Sequence, residues 1–221
     1  MITVHHLNNS RSQRVLWLLE ELGLEYEIVK YERDPKTMLA PASLRKIHPL
    51  GKSPVITDGD ATLAESGAIL EYLVDTHGKG TLAPAAGTLA HRHYRYFMHY
   101  AEGSLMPLLV MKLVFNRIKT DAPILVRPVA KTIANTVGKR FLDPNLATHL
   151  GFLGGHLAKN TWFTGDTFTA ADVQMSFPIE GAVARASEGI PPTVTEWLGR
   201  IQARPAYRRA IERGGDHKVL G

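Results

Sequence analysis

Hydrophobic and polar positions in the first thirty residues follow two different periods. The apolar run at 2–7 predicts a short strand, and the leucine-rich segment after it repeats every three to four residues, as on one face of a helix. Ser10 and Gln13 have the spacing of a capping box at the start of that helix, and Gly23 is expected to end it. An alternating segment at 26–30 predicts a second strand, so this part of the chain is predicted as β-α-β.

A second pattern, β-β-α, is predicted for residues 54–76. Two short apolar runs flank the turn signal Asp58-Gly59, so they predict a β-hairpin. A helix is expected to begin at Glu65, directly after the hairpin. Three prolines between residues 33 and 50 predict a loop with one short helix. A β-α-β unit followed by β-β-α is the thioredoxin-like arrangement.

After residue 82 the chain shows helical periodicity and no convincing strand. A small-residue linker is predicted at 83–88, between a thioredoxin-like domain of residues 1–82 and an all-helical domain of residues 89–221. The predicted fold class is therefore α/β plus all-α. The helices are expected at about 88–117 with a kink at Pro107, and at 124–141, 143–159, 169–186, 193–204 and 206–213.

Two helix starts in this region have recognisable caps. Asp143-Pro144 is typical of an N-cap and first-turn pair. The segment TAAD at 169–172 has the spacing of a cap that precedes an apolar run. We expect the helix after it to be buried, so unmet amide groups at its start would be costly.

The sequence contains no cysteine among its 221 residues. It therefore has no disulfide and no thiol nucleophile, so any thiol chemistry must use a sulfur atom that a ligand supplies. No apolar stretch approaches the roughly 20 residues of a membrane span, and no secretory leader is visible at Met1. A cytoplasmic protein without a membrane partner is expected.

Charge is distributed unevenly along the chain. Residues 1–82 carry nine Lys and Arg against eleven Asp and Glu, a net −2, and residues 83–221 carry 17 against 10, a net +7. A basic half could bind nucleic acid, but these charges are scattered as on solvated helix faces, so no nucleic-acid partner is predicted. His91, His93 and His99 lack the i, i+4 spacing of a zinc pair, and no metal site is predicted.

Glu65 and Ser66 predict a binding site where the hairpin meets the next helix. The free amide groups of a helix N-terminus bind anions, and the Glu65 carboxylate could hold an ammonium group. Pro54 suits the entrance of a strand, and a cis bond before it would leave the backbone of Ser53 free to face a ligand. A ligand that carries both charges on one carbon, an α-amino acid head, fits this pair.

These segments resemble the soluble glutathione S-transferases, and the Ser-Arg-Ser-x-Arg motif after the first strand is similar to that of the bacterial and fungal branch. Ser53 departs from the commoner valine of the family, which a backbone role should tolerate. The matching pieces occur in the family's order over nearly the whole chain: HHLNNSRSQRVLWLLEELGLEYE at 5–27, Gly51-Lys52-Ser53-Pro54, Glu65-Ser66 and FTAAD at 168–172.

The resemblance implies that glutathione is the co-substrate and that no cofactor is tightly bound. Glu65 and Ser66 would hold its γ-glutamyl head, and the backbone of Ser53 would pair with its cysteinyl part. Lys52 and His48 would meet its glycyl carboxylate. The full set of implied glutathione contacts is Asn9, Ser10, His48, Lys52, Ser53, Pro54, Glu65 and Ser66.

Ser10 is the candidate catalytic residue. Its position alone favours a helix N-cap, whereas the resemblance implies that its hydroxyl donates to the glutathione sulfur and favours the nucleophilic thiolate. Lowering a thiol pKa by about two units requires roughly 2.7 kcal/mol, close to the roughly 1.5–3 kcal/mol of one hydrogen bond to a charged group. Asn9 is the alternative donor, and Arg11 could add positive potential.

The resemblance also implies a homodimer and a pocket for a hydrophobic electrophile beside the first helix of the second domain. The expected activity is conjugation of glutathione to that electrophile, with glutathione-dependent peroxide reduction as a second activity. The alternative is a non-enzymatic binding or interaction protein on the same fold, like the stringent-starvation-type relatives. The candidates for the electrophile pocket or dimer cleft are Leu7, His99, Glu102, Gly103, Ser104 and Met106.

Overall fold

A four-stranded mixed sheet forms the first part of the protein in a computed structural model that describes residues 1–185 and 189–215. Its strands lie in the order β2-β1-β3-β4, with β1 parallel to β2 and antiparallel to β3, and β3 antiparallel to β4. This confirms the predicted thioredoxin-like order. The elements are β1 Ile2–Leu7, α1 Ser12–Leu22, β2 Tyr26–Tyr31, β3 Val55–Asp58, β4 Ala61–Ala64 and α2 Ser66–His77, with a short 3₁₀ helix at Ala42–Lys46 in the predicted loop.

Helix α1 ends as predicted but does not begin as predicted. Gly23 adopts a left-handed conformation (φ 64°) that suits a helix C-terminus. The prediction of a capping box at Ser10 and Gln13 is wrong: the N-cap position is Arg11, which makes no side-chain cap. The Ser10 hydroxyl accepts instead from the N–H of Ser12, at 3.3 Å, because the helix begins one residue later than the motif requires.

Helices make up the rest of the described chain, which contains no further strand in residues 65–185 and 189–215 apart from an isolated bridge between Trp162 and Gly165. No helix of the described residues is long and apolar enough to cross a bilayer. The predicted end of one helix, at about residue 186, lies outside the described residues. The helices are α3 Leu89–Tyr100, α4 Met106–Asp121, α5 Arg127–Val137, α6 Asp143–Leu157, α7 Ala170–Arg185, α8 Pro192–Gln202 and α9 Pro205–Gly214.

Two π-helical turns lie just before Pro107, where the sequence predicted a kink, and just before Asp143-Pro144, where it predicted a capped helix start. The turn Ala101–Leu105 joins α3 to α4 ahead of Pro107, which has no N–H for the carbonyl of Gly103. A second turn, Gly138–Leu142, carries α5 directly into α6. The predicted helix at 143–159 is observed as α6, but the predicted N-cap at Asp143 is wrong: the N-cap position is Leu142, without a side-chain cap, because the helix continues through the π turn.

Helix α1 connects the sheet to the helical part of the chain. Its residues 15–19 are buried, and it packs on α2, α7 and α9 as well as on β1. Helix α7 is buried along most of its length. The apolar residues of the sheet and of the helices consequently form one continuous core, which fixes the end of β1 relative to α3 and α7.

The start of α7 is held by a reciprocal cap. The carboxylate of Asp172 accepts from the N–H of Thr169 at 3.0 Å, and the Thr169 hydroxyl accepts from the N–H of Ala171 at 3.3 Å. The same carboxylate accepts from the N–H of Phe163 at 3.0 Å and from the indole of Trp197 at 3.1 Å. Burial raises the pKa of Asp172 to about 6, against the lowering effect of these donors. The predicted cap is confirmed, and it also anchors two other segments.

Removal of this cap should destabilise the fold. We expect Thr169→Ala to lower the free energy of unfolding by about 1–2 kcal/mol, and Asp172→Ala to lower it by about 3 kcal/mol or more because three buried N–H groups lose their acceptor. Urea denaturation measures both, with Thr167→Ala and Asp166→Ala as matched controls at exposed neighbouring positions. Equal midpoints for the capping variants and their controls would contradict this prediction.

Candidate functional site

An open cleft of about 350 Å³ lies between the loop before β3 and the start of α2. Six of the predicted glutathione contacts line this cleft, so the fold brings them together in space. The residues that line it are Arg11, His48, Leu50, Lys52, Ser53, Pro54, Ala64, Glu65 and Ser66.

The loop that forms one wall of the cleft has two special backbone positions. Gly51 has a φ of 57°, and a Cβ there would lie 2.5 Å from Cγ of Arg45, so glycine is required both by conformation and by space. The Ser53–Pro54 peptide bond is cis. The Ser53 side chain turns inward, where its hydroxyl donates to the carbonyl of His5 at 3.0 Å.

Glu65 occupies a backbone conformation that non-glycine residues seldom adopt. Its φ is 71° and its ψ 123°, at the N-cap position of α2. Its carboxylate is exposed and has no hydrogen-bond or ion-pair partner in residues 1–185 and 189–215. Strained residues of this kind cluster at binding sites, and here the carboxylate stands beside the free amides of a helix N-terminus.

Ser66 is buried, and its contacts extend away from the cleft. Its hydroxyl accepts from Nη2 of Arg14 at 3.0 Å, whereas a cap on α2 is absent. Arg14 is 1 % exposed, and it also donates to Glu102 at 2.5 Å and to the carbonyl of Gln174 at 2.6 Å. Burial lowers the pKa of Arg14, and Glu102 raises it; the guanidinium remains charged in any case.

Arg14 is thus a residue of the site, although from the sequence it was noted only as the last position of the Ser-Arg-Ser-x-Arg motif. The signal that could have identified it is a lone arginine on the apolar face of α1, among residues that are buried on both sides of it. A buried charge requires partners, and the partners come from α2, α7 and the π turn after α3. Arg11 joins the same group, since it pairs with Glu102 at 3.0 Å.

Ser10 does not line the cleft but lies directly behind its wall. It is 4 % exposed, and its hydroxyl is 2.7 Å from the Ser12 hydroxyl and 3.4 Å from the Ser53 hydroxyl. Because Ser53 lines the cleft, only the Ser53 hydroxyl group separates the Ser10 oxygen from the cleft. A ligand atom could meet the Ser10 hydroxyl only beside Ser53.

The other predicted glutathione contacts differ in their surroundings. Lys52 is exposed at the cleft. His48 is half-buried, and its Nδ1 has no hydrogen-bond partner in the described part of the chain. Asn9 has a left-handed backbone (φ 49°), and its carbonyl accepts from Arg33 at 3.4 Å. It is adjacent to Ser10 but is not a cleft-lining residue.

The candidates for the electrophile pocket are not brought together as a group. Leu7 and Met106 are 2 % and 3 % exposed and belong to the buried interior. His99 and Gly103 are exposed, and Ser104 is half-buried. Glu102 reaches the site through Arg11 and Arg14, and the backbone N–H of Leu7 donates to the Ser53 hydroxyl at 3.4 Å.

The charges of the cleft fall into two groups. Arg11 and Lys52 provide cations and His48 a hydrogen-bonding ring, while Glu65 provides a carboxylate beside the amides of α2. A ligand with an ammonium group next to one carboxylate, and a second carboxylate some distance away, would match both groups.

Known proteins share this architecture and much of this sequence. Residues 1–75 match the family model described as the glutathione S-transferase N-terminal domain. Glutathione S-transferase 3 of Schizosaccharomyces pombe is 37% identical over 99% of this chain and 90% of its own length. Glutathione S-transferase 1 of Saccharomyces cerevisiae is 32% identical over 96% and 95%. A crystal structure of a glutathione S-transferase from Actinobacillus pleuropneumoniae superposes with a TM-score of 0.81 and 32% identity, over 100% of this chain and 95% of that one.

The Arg14–Glu102 pair should matter more for stability than an exposed pair in the same protein. Glu102→Gln leaves the buried guanidinium without its counter-charge, and we expect a loss on the order of 3 kcal/mol, the lower end for buried pairs because Glu102 is 26 % exposed. Asp143→Asn removes the exposed partner of Lys112 and should cost less than about 1 kcal/mol. Urea denaturation compares the two carboxylate-to-amide changes, and similar small losses in both would refute the special role of Arg14.

Proposed function

The chain belongs to the glutathione S-transferase family, and we propose that it binds reduced glutathione in the cleft at the start of α2 and conjugates its thiolate to hydrophobic electrophiles. The observation that carries this proposal is the arrangement of Glu65 and the α2 N-terminus opposite Lys52. Glutathione has an α-amino acid head at one end and a glycyl carboxylate at the other, so its charges match both sides of the cleft.

We place the γ-glutamyl head at Glu65 and Ser66. The unpaired carboxylate of Glu65 would accept from the ammonium group, and the amides of α2 would donate to the adjacent carboxylate. Ser66 would add its own backbone N–H, while its side chain is held by Arg14. The glycyl carboxylate would reach Lys52 and His48, and the cysteinyl backbone would pair with Ser53 before the cis Pro54.

The sulfur atom would then lie near the β1–α1 loop. We propose that the Ser10 hydroxyl, 3.4 Å behind that of Ser53, donates to the thiolate, and that Arg11 adds positive potential from the cleft wall. A donor to the charged form lowers a thiol pKa, and the thiolate then attacks the electrophile. Peroxide reduction by the same thiolate is a second activity that we propose on the same grounds.

The electrophile would be held by apolar side chains of α4. Val110, Val114 and Ile118 are exposed at intervals of four residues on this helix. Burial and the nearby Arg117 of α4 lower the pKa of Arg33, whose guanidinium donates to the Asn9 carbonyl at 3.4 Å. This exposed apolar row supports the proposal of a hydrophobic co-substrate.

We further propose a homodimer that pairs α2 of one copy with α3 of the other. The exposed Leu89 and Tyr96 on α3 support an interface there, and His99 and Gly103 continue the same exposed side. The Ser-Arg-Ser-x-Arg motif at 10–14 supports membership of the bacterial and fungal branch. The cytoplasmic location and the linker at 83–88 between two domains stay predictions.

A non-enzymatic binding protein on this fold is not favoured. Relatives that bear transferase names are 32% and 37% identical over nearly the whole chain. Retention on a glutathione column, followed by a conjugation assay with a chromophoric electrophile, separates the two functions: a binding protein would be retained without turnover.

The head-group site leads to a prediction for binding. Glu65→Gln should weaken the binding of glutathione by about 2 kcal/mol or more, close to thirtyfold in Kd, because a charged hydrogen bond is lost. Ser66→Ala should weaken it similarly, since it also releases Arg14 next to the α2 N-terminus. Isothermal calorimetry measures both, with Glu71→Gln on the same helix as the control. Wild-type affinity in both variants would move the site elsewhere.

The role of Ser10 is tested by the pKa of the bound thiol. If its hydroxyl donates to sulfur, Ser10→Ala should raise that pKa by about one unit or more and reduce turnover at neutral pH about tenfold. The loss should diminish at high pH, where the thiol ionises unaided. The measurement is thiolate absorbance of the complex against pH.

Three variants make this titration decisive. Asn9→Ala tests the alternative donor, and Ser43→Ala is a control at an exposed position. A shift with Asn9→Ala alone would make Asn9 the donor. If neither Asn9→Ala nor Ser10→Ala moves the curve, the thiolate is stabilised by the amides of α1 or by Arg11.

A further inference from the structure

A chain of side-chain hydrogen bonds runs through the interior behind the cleft. Nδ1 of His6 lies 2.8 Å from the Ser12 hydroxyl, which lies 2.7 Å from the Ser10 hydroxyl, which in turn lies 3.4 Å from the Ser53 hydroxyl. His6, Ser10 and Ser12 are 5 %, 4 % and 0 % exposed. Water therefore has little access to this chain, and its members must satisfy one another.

One of the two possible directions of donation places the Ser10 hydrogen at the cleft. The Ser53 hydroxyl is 3.0 Å from the carbonyl of His5, and a carbonyl only accepts, so the Ser53 hydrogen is committed there. Ser53 can consequently only accept from Ser10. With its own hydrogen directed at Ser53, the Ser10 oxygen accepts from the N–H and from the hydroxyl of Ser12.

The same reasoning fixes the last member of the chain. Once the Ser12 hydrogen points to Ser10, the Ser12 oxygen can only accept from Nδ1 of His6. That nitrogen must then carry a hydrogen. If the hydrogen were on the other ring nitrogen alone, Ser12 would donate to His6 and Ser10 would donate to Ser12, away from the cleft.

We propose that Ser12 and His6 are positioning residues that direct the Ser10 hydroxyl hydrogen toward the cleft, where it meets the glutathione sulfur. The inference rests on the proposed function, since it assigns to Ser10 the role given there. It adds two buried residues, Ser12 and His6, neither of which touches glutathione. It also requires one particular tautomer of His6.

The lengths of the hydrogen bonds from His6 to Ser53 support this role. The inner links, 2.8 and 2.7 Å, have normal lengths, whereas the 3.4 Å link from Ser10 to Ser53 is well beyond the usual 2.7–2.8 Å of an O–H···O bond. The outermost hydrogen is thus the most weakly held, and an anionic sulfur beside Ser53 would be a stronger acceptor. Donors behind a hydroxyl polarise it and strengthen its own donation.

Other charged and titratable groups surround this chain and stay unchanged in the variants below. These groups act on the thiol pKa directly. The contribution of the hydrogen-bond chain is therefore obtained only from differences in that pKa between variants. These groups are His5 on β1, Tyr31 on β2, Arg11 and Arg14 at α1, Glu102 in the π turn, and His48, Lys52 and Glu65 around the cleft.

A double-mutant cycle on the thiol pKa tests whether Ser12 acts through Ser10. We expect Ser12→Ala to raise the pKa of bound glutathione by roughly half a unit in the wild-type background, because one polarising donor is lost, and by nothing further in the Ser10→Ala background. Thiolate absorbance against pH provides all four values. An equal shift in both backgrounds would overturn the proposal.

A pair of variants at His6 separates positioning from packing. In His6→Asn the amide nitrogen can donate from nearly the place of Nδ1, and in His6→Leu no donor remains, while both lose the other ring nitrogen. We expect a wild-type thiol pKa in the first and a rise of roughly half a unit in the second. Thermal unfolding of both variants identifies any loss that is only structural. The same pKa in the two variants would overturn the proposal.

A direct observation of the tautomer completes the test. ¹⁵N NMR of the free protein, with the His6 signals assigned by their loss in His6→Asn, should show a hydrogen on Nδ1. A bare Nδ1 would overturn the proposal whatever the activity. The proposed function fails separately: if Ser10→Ala leaves the thiol pKa unchanged while His6 still carries the Nδ1 hydrogen, the chain is present but Ser10 is not the sulfur donor.

Discussion

A guanidinium group that is almost out of contact with water connects four parts of this protein. Arg14 projects from α1 and meets Ser66 at the start of α2, Glu102 in the π turn, and the backbone of α7 at Gln174. A buried charge is tolerated only when it is paired and hydrogen-bonded, and here three acceptors serve Nη1 and Nη2 of Arg14, while its Nε has no partner in the described residues. The relative positions of the sheet, α2 and the helices after residue 82 are consequently restricted to those that supply these acceptors at once.

The local pattern of the chain was sufficient to predict the elements around that group. Period-two and period-four repeats identified the strands and α1, and the segment at 169–172 identified the start of α7, because such signals depend on near neighbours alone. The N-cap expected at Asp143 was wrong for the same reason, although α6 does begin at that residue. A proline removes one N–H, but whether the helix ends or continues through a π turn depends on what packs against it.

Site residues were predictable where a motif places them on the backbone, and less so where burial decides. Glu65 and the loop before Pro54 face the cleft, since the hairpin and α2 fix their positions. Met106 and Leu7 were expected at a pocket but are buried, because an apolar side chain on a helix or strand suits a core equally well. The contacts of Arg14 involve positions 52, 88 and 160 residues away, and no local pattern contains that information.

The acceptor on the π turn has a thermodynamic consequence for how the protein is divided. Glu102 belongs to the helical part of the chain by sequence, yet it neutralises a cation that also holds the Ser66 hydroxyl beside the cleft. A chain cut between α2 and α3 would leave that cation and the apolar face of α1 uncovered. If a ligand binds the cleft only when Ser66 is held in this way, occupancy of the cleft and docking of the helices are linked equilibria, and whatever favours one must favour the other by the same free energy.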